Sequence, residues 1–327
     1  MTGKTFFLFP GQGAQYPGMA LDILESSIKS GGEKVKRVFE LASDVAGTDM
    51  AALLRDAEAD ALKKTDISQP TITLANLAAF SYLAEGGITP SGCAGFSLGE
   101  YAALACSGVI TMEECFRLVT KRGKAMQSAI DKIDGEQAPG MAAVLGLPHE
   151  KIEALVAEWK SGGREDISDL YPANINSSRQ TVVSGTAKAL SAAESLFAGA
   201  GAKRFIRLAV AGPFHSPLMA AAEDEMRSFL ENLTYNDPQI PLFSNVSGKQ
   251  IFSGDEAKKL ALTHITKAVR WADEVSAIAA LGGIDTCLET GPGKVLQGLW
   301  RDSGSTIPCY PAGTAEDIQL ILNPVNR

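Results

Sequence analysis

The sequence predicts an α/β protein: a parallel sheet faced by helices and interrupted by a smaller inserted domain. Three observations predict it. Short apolar runs alternate with helical stretches on both sides of residue 95, as in parallel strands joined by crossover helices. The pentapeptide Gly95-Phe96-Ser97-Leu98-Gly99 lies between the apolar Gly92-Cys93-Ala94 and a small-residue helix, Glu100 to Ala105. That is the setting of a strained strand-to-helix turn that lifts a serine hydroxyl out of a sheet. Beyond Gly140 the rhythm changes to βαββαβ, the split βαβ, ferredoxin-like order. The chain is accordingly expected to divide into a discontinuous large domain, 1–139 and 211–327, and an insertion, 140–210.

Each element has a local cause. Lys4 to Phe9 is a short apolar strand ended by Pro10-Gly11-Gln12-Gly13. Thr65 to Gln69 lead into Pro70, whose fixed φ and missing N–H suit a first helical position. A helix is therefore predicted from Pro70 to Glu85, stopped by Gly86-Gly87. A strand over 92–96 and the serine turn follow. Thr111-Met112-Glu113-Glu114 is a capping box and opens a helix to about Ile130. Residues 131–140 read as a linker. In the insertion, strands are predicted over 141–147, 173–176, 181–184 and 203–210, with helices over 150–160 and 187–200 and a turn at Ser177-Ser178-Arg179. Ala211-Gly212-Pro213 returns the chain to the large domain. A helix is expected from Glu256 to Lys267, a strand from Ile284 to Glu289 and a helix from Val295 to Trp300.

At 327 residues the chain can bury one large core and a second, smaller one. A net charge of −8 argues against nucleic acid as the ligand. The apolar run at Thr5–Phe9 is too short for a signal peptide or a membrane span, and no later stretch reaches membrane length without charges. The five cysteines are scattered and form no Cys-x-x-Cys pair, so they read as free thiols of a reducing compartment, with a cytoplasmic location expected. Nothing has metal-ligand spacing. Gly291-Pro292-Gly293 lacks both the Walker spacing and the dinucleotide pattern, which argues against a nucleotide site.

A serine at the tip of such a turn needs a base, and the sequence offers three histidines. His149, at a predicted helix start, is expected at the surface. His264, within the predicted helix 256–267, is expected to be solvated or at a helix end. His215 stands in the rigid loop Gly212-Pro213-Phe214-His215-Ser216-Pro217 at the domain junction, where clefts form. It is the candidate base, with a hydrogen-bonded structural histidine as the alternative. The N–H of Leu98, just past Ser97, supplies one oxyanion donor by the geometry of the turn. A second is expected from the loop Phe9–Gln15, with Gln12 at its crest and glycines that allow close approach. Arg122 falls on the apolar stripe Cys115, Leu118, Val119, Met126, Ala129. A buried guanidinium must be paired. Its partner is either a structural carboxylate, for example Glu100, or a carboxylate-bearing substrate, for which its fork is suited.

Together these segments resemble the malonyl-CoA:acyl carrier protein transacylase family. The resemblance rests on Phe9-Pro10-Gly11-Gln12-Gly13-Ala14-Gln15, Gly95-x-Ser97-Leu98-Gly99-Glu100, Arg122-Gly123-Lys124-x-Met126-Gln127, Phe214-His215 and Gly291-Pro292-Gly293-Lys294-Val295-Leu296, in the family's order from residue 6 to about residue 300. It implies an α/β-hydrolase-like large domain with a parallel sheet and an inserted ferredoxin-like small domain. It also implies a reaction without cofactors, in which CoA and phosphopantetheine enter as substrate carriers. By position, Ser97 would be the acylated nucleophile and His215 its general base and acid. Main-chain N–H groups of Gln12 and Leu98 would form the oxyanion hole, and Arg122 would grip the malonyl carboxylate. Gln69 and Asn174 match polar positions near the pocket, and Phe214 is a bulk associated with malonyl over α-methylated acyl groups. Backbone carbonyls orient the imidazole in this family, and Arg270, next to Trp271, is placed at that position. Phe96 departs from the family, which commonly has His there.

The partners implied are malonyl-CoA and acyl carrier protein, with neither nucleic acid nor membrane, for a monomeric enzyme. Lys203, Arg204 and Arg207 are the basic residues offered for carrier-protein docking. A serine hydrolase, such as a thioesterase or an editing acyl hydrolase, shares the turn and the base and is the competing reading. A catalytically silent docking module is a third. The motifs fit fatty-acid and polyketide supply equally.

Overall fold

The computed structural model describes residues 3–132 and 139–323. Its first strand, β1 (Thr5–Phe9), is buried along its whole length, as a parallel strand covered on both faces must be. Helices α1 (Leu21–Lys29), α2 (Lys34–Ala46) and α3 (Met50–Asp56) precede the long α4 (Thr65–Glu85). The last begins earlier than its sequence predicts: Pro70 lies inside the helix, not at its first position. The ring removes one main-chain hydrogen bond, a penalty of ~3 kcal/mol in a helix interior. Burial of α4 on almost all sides outweighs it.

Next come β2 (Gly92–Gly95), α5 (Gly99–Cys106) and α6 (Met112–Asp131). The capping box of α6 forms as expected: Thr111 Oγ1 accepts from the Glu114 N–H at 3.1 Å, and the Glu114 carboxylate accepts from the Thr111 N–H at 2.8 Å. Most of the expected linker, residues 133–138, lies outside the described residues.

The following elements are β3 (Gly140–Leu145), α7 (His149–Ser161), β4 (Leu170–Ser177), β5 (Gln180–Gly185), α8 (Ala187–Gly199) and β6 (Arg204–Arg207). Their strands form an antiparallel sheet in the order β4-β5-β3-β6, the split βαβ arrangement. β4 shifts register between Pro172 and Asn174, where the proline has no N–H to give a neighbour.

The chain ends through α9 (Ala220–Asn232), β7 (Leu242–Ser244), β8 (Lys249–Ile251), α10 (Gly254–Ala261), α11 (Trp271–Ala280), β9 (Thr286–Glu289), α12 (Val295–Asp302), β10 (Cys309–Pro311) and α13 (Ala315–Leu322). α10 stops at Ala261, short of the Lys267 expected. The hydroxyl of Thr263 donates to the Leu260 carbonyl at 3.3 Å, and such local side-chain bonds compete with helix continuation.

The larger sheet runs β10-β9-β1-β2-β7-β8, parallel throughout except for the β7–β8 hairpin. From β1 the chain builds toward β2 and β7 on one side, then toward β9 and β10 on the other. Strand ends beside such a reversal leave a crevice at their C-terminal side. The loops after β1, β2 and β7 carry Gln12, Ser97 and Asn245 to that side. The smaller sheet is tied to the larger body by β4. Ile175 N–H donates to the Val269 carbonyl and Val269 N–H to the Ala173 carbonyl, both at 2.8 Å. Among the described residues no helix is long and apolar enough to cross a membrane.

Candidate active site

The turn after β2 is forced by close packing. A Cβ on Gly95 would overlap the Gly99 carbonyl, and a Cβ on Gly99 would overlap the Phe9 carbonyl at the end of β1. Between them Ser97 adopts left-handed backbone, with φ 50°, a conformation a non-glycine residue holds only when its surroundings impose it. The loop after β1 lies against this turn. A Cβ on Gly11 would overlap the Phe96 carbonyl and come 3.5 Å from the Leu98 nitrogen. Asn76 Nδ2 pins that loop by donating to the Pro10 carbonyl at 2.9 Å.

His215 reaches the serine from the loop before α9. It too is left-handed, with φ 56°, and only 4% exposed. Its Nε2 is 2.7 Å from Ser97 Oγ. Its Nδ1 faces two acceptors, the carbonyls of His264 at 3.2 Å and Lys267 at 3.1 Å. Two carbonyls can only accept, so the proton sits on Nδ1 and Nε2 accepts from the serine hydroxyl. The carbonyl expected from Arg270 is not among these partners. The turn at 263–267 faces its carbonyls to the imidazole, whereas the Arg270 N–H donates to the Asn245 carbonyl and its side chain pairs with Asp273 at 2.6 Å. Burial holds the His215 pKa well below 6.5, helped by His264 and Arg122 and opposed by the two carbonyl bonds. The ring is held neutral at pH 7, with Nε2 turned to Ser97.

His264 is also not where the sequence places it. It is 1% exposed, because the chain has left α10 and turns inward, and its ring stands edge-on to both Tyr101 and His215. His149, expected at the surface, keeps only 14% of its side chain exposed at the start of α7, with Nε2 3.4 Å from Glu150.

Arg122 is 2% exposed on α6. One of its terminal nitrogens donates to Gln69 Oε1 at 2.9 Å, and the guanidinium lies over the Tyr101 ring at 5.2 Å. Its Nε has no hydrogen-bond partner. The structural salt bridge to Glu100 does not form. Glu100 instead accepts from the Asn245 N–H at 2.7 Å and lies 3.4 Å from His264 Nε2. Among the described residues no carboxylate pairs with Arg122.

A cleft of about 370 Å³ opens on these groups, lined by Gln12, Ser97, Arg122, Asn174, Phe214 and His215. Phe96 and Met126 add apolar wall, and Phe96 is braced by Trp271 with centroids 5.6 Å apart. Gln69 lies behind Arg122, outside the cleft lining, and the Leu98 side chain is buried in the core. Asn174 presents a buried Oδ1 without a partner. Asn245 is a site residue that the sequence does not single out. Its Oδ1 accepts from the Ser97 N–H at 2.6 Å. Its one signal is a place just past the short apolar run Leu242-Phe243, with Ser244 between, a setting many asparagines share.

Comparison with known proteins extends over nearly the whole chain. Residues 6–311 match the acyl transferase domain family. A malonyl CoA-acyl carrier protein transacylase of Bacillus subtilis strain 168 is 33% identical over 324 residues, 99% of this chain and 98% of that protein. The crystal structure of an acyl carrier protein S-malonyltransferase from Vibrio cholerae O1 biovar eltor is similar at 34% identity and a TM-score of 0.88, covering 97% of this chain and 99% of that one. A type II PKS acyl-carrier protein in complex with its malonyl-transacylase gives a TM-score of 0.87 at 33% identity, over 98% of this chain and 99% of that one.

Proposed function

The chain belongs to the acyl transferase domain family, among the malonyl CoA-acyl carrier protein transacylases, and we propose that it moves a malonyl group from CoA to the phosphopantetheine thiol of acyl carrier protein through an ester on Ser97. The observation that carries this reading is the shared cleft: a serine–histidine hydrogen bond of 2.7 Å opens on the same space as a buried arginine with no carboxylate partner among the described residues. Arg122 receives the malonyl carboxylate, a charge-assisted pair that offsets the burial of its guanidinium. Gln69 holds the fork without neutralising it.

In the first half-reaction the Ser97 proton passes to His215 Nε2 as Oγ attacks the thioester carbonyl carbon. The resulting oxyanion lies between the main-chain N–H groups of Gln12 and Leu98. The carbon–sulfur bond breaks, and CoA sulfur leaves with the proton held at Nε2. In the second half the phosphopantetheine thiol gives its proton to Nε2 and attacks the ester carbonyl carbon. Oγ then leaves and recovers the proton. The carbonyls of His264 and Lys267 stabilise the imidazolium formed in each half, doing what a carboxylate does in a triad. Thioester exchange is nearly balanced, so water must be kept from the ester. The apolar side chains of Phe96, Met126 and Phe214 beside Ser97 serve that end. In the same reading residues 140–210 form the inserted domain whose β4 supplies Asn174 to the cleft, and the enzyme works as a cytoplasmic monomer.

Intact-mass measurement after mixing with malonyl-, acetyl- and methylmalonyl-CoA tests the proposal. The protein should gain one malonyl group, Ser97→Ala should gain none, and loading should persist until carrier protein is added. Rapid loss of the group to water without acceptor would favour a hydrolase. Normal malonylation of Ser97→Ala would overturn the nucleophile.

A further inference from the structure

We propose that Glu100 is the positioning residue that holds the serine turn and the histidine loop in register, through Asn245 on one side and His264 on the other. The proposal rests on the Ser97–His215 reading above and adds to it a third partner that touches neither substrate nor reacting atom.

Glu100 stands in the first turn of α5 and is 3% exposed. Its Oε2 accepts from the Asn245 main-chain N–H at 2.7 Å and lies 3.4 Å from His264 Nε2. Each contact leads to one half of the catalytic pair. Asn245 brackets the left-handed turn from both ends. Its Oδ1 accepts from the Ser97 N–H at 2.6 Å, and its Nδ2 donates to the Gly95 carbonyl at 2.5 Å. The same Nδ2 donates to Glu274 at 2.9 Å, whose carboxyl is pushed well above the usual range by burial and by Glu100. On the other side, His264 is held at Nδ1 by the Tyr101 hydroxyl at 3.3 Å, while its carbonyl accepts from His215 Nδ1 at 3.2 Å. One oxygen of Glu100 is thus separated from Ser97 by a single residue, and from His215 by a single residue.

A buried carboxylate is an expensive way to fill space, and an apolar residue of similar volume generally serves stability as well or better. What an apolar residue cannot do is accept the Asn245 N–H and at the same time set a carboxylate beside the His264 ring, whose Nε2 has no hydrogen-bond partner of its own. The turn needs fixing because its φ is strained, and the histidine loop needs it because its own φ is strained too.

The test uses the full-length protein with malonyl-CoA and acyl carrier protein, reading kcat, KM and the rate of Ser97 malonylation by intact mass. Glu100→Gln leaves an oxygen for Asn245 but removes the charge facing His264. Glu100→Leu removes both. We expect kcat to fall about tenfold for Gln and about a hundredfold for Leu, with KM for malonyl-CoA steady within about twofold. The preference for malonyl over acetyl should hold, since the Arg122 guanidinium is gripped by Gln69 and Tyr101. His264→Gln should lower kcat as well, and the double variant Glu100→Gln/His264→Gln should lose no more than the worse single. A folded Glu100→Gln with unchanged kcat, a rise in KM that accounts for the loss, or additive losses in the double variant would each overturn the proposal. If Glu100→Leu does not fold, Glu100→Gln and His264→Gln decide the question by themselves. Ser97→Ala run in parallel separates the two levels: malonylation surviving in it would overturn the nucleophile itself, whatever the Glu100 variants do.

Discussion

The serine turn and the histidine loop each hold a non-glycine residue in left-handed backbone, φ 50° at Ser97 and 56° at His215, but with different local signals. The serine turn is marked in its own sequence by two glycines, although the end of β1 and Asn245 also hold it. Gly95 and Gly99 flank Ser97, and at each the neighbouring main chain leaves no room for a Cβ. The histidine loop is enforced from far along the chain. Ser184 Oγ donates to the Phe214 carbonyl at 2.5 Å, and Nδ1 is fixed by the carbonyls of residues 264 and 267. The serine turn can therefore be recognised in five consecutive residues even though distant segments also hold it, whereas no such pair of glycines marks the histidine loop.

Four measurements put this contrast at risk. Gly99→Ala should do the most damage. The overlap with the Phe9 carbonyl is expected to cost about 1–3 kcal/mol of stability, read as Tm, and the displaced hydroxyl to slow Ser97 malonylation about a hundredfold or more. A variant with normal Tm and labelling would refute the claim that packing sets the turn. Arg122→Ala removes a charge-assisted pair worth about 1.5–3 kcal/mol, so malonyl transfer should fall far more than acetyl transfer. Equal falls would mean that the arginine shapes the cleft without gripping a carboxylate. Ser184→Ala removes one neutral hydrogen bond from the histidine loop, about 0.5–1.5 kcal/mol. A several-fold drop in kcat with KM steady is expected. A loss as severe as that of Gly99→Ala would show that the two regions do not differ in kind. The smallest effect is that of pH. The competent imidazole is neutral, protonation removes the base, and burial holds the His215 pKa well below 6.5. The acidic limb of kcat/KM should lie below that value, leaving the rate flat from about pH 6.5 to 8. A midpoint at or above 6.5 would contradict the burial argument.

What is legible in the sequence follows the same division. The strand–turn–helix at 92–106, the capping box at Thr111 and the place of Arg122 on a buried stripe all depend on residues within a few positions of one another, and each is read from spacing. The βαββαβ order and the strand at 286–289 are legible for the same reason. The acceptors of His215 Nδ1 are not, because a main-chain carbonyl carries no residue identity. The family resemblance points to Arg270 for that role, whose neighbour Val269 is in fact engaged with β4. The helical pattern around His264 runs past Ala261, while the actual surroundings of its ring are Tyr101, Glu100 and His215. Pro70 differs from its expected place for another reason. Its local preference for a helix start is overridden by the burial of α4, which no single window of sequence displays.

The short bridge between β4 and Val269 has a mechanical consequence. Asn174, on the cleft wall, shares that bridge with the stretch of chain that supplies the Lys267 carbonyl to the base. Prising the two sheets apart would pull on both at once, so a shift of this wall would also disturb the aim of the imidazole. A guest entering the cleft therefore meets a wall and an imidazole that are mechanically joined, and a strain placed on one is felt at the other.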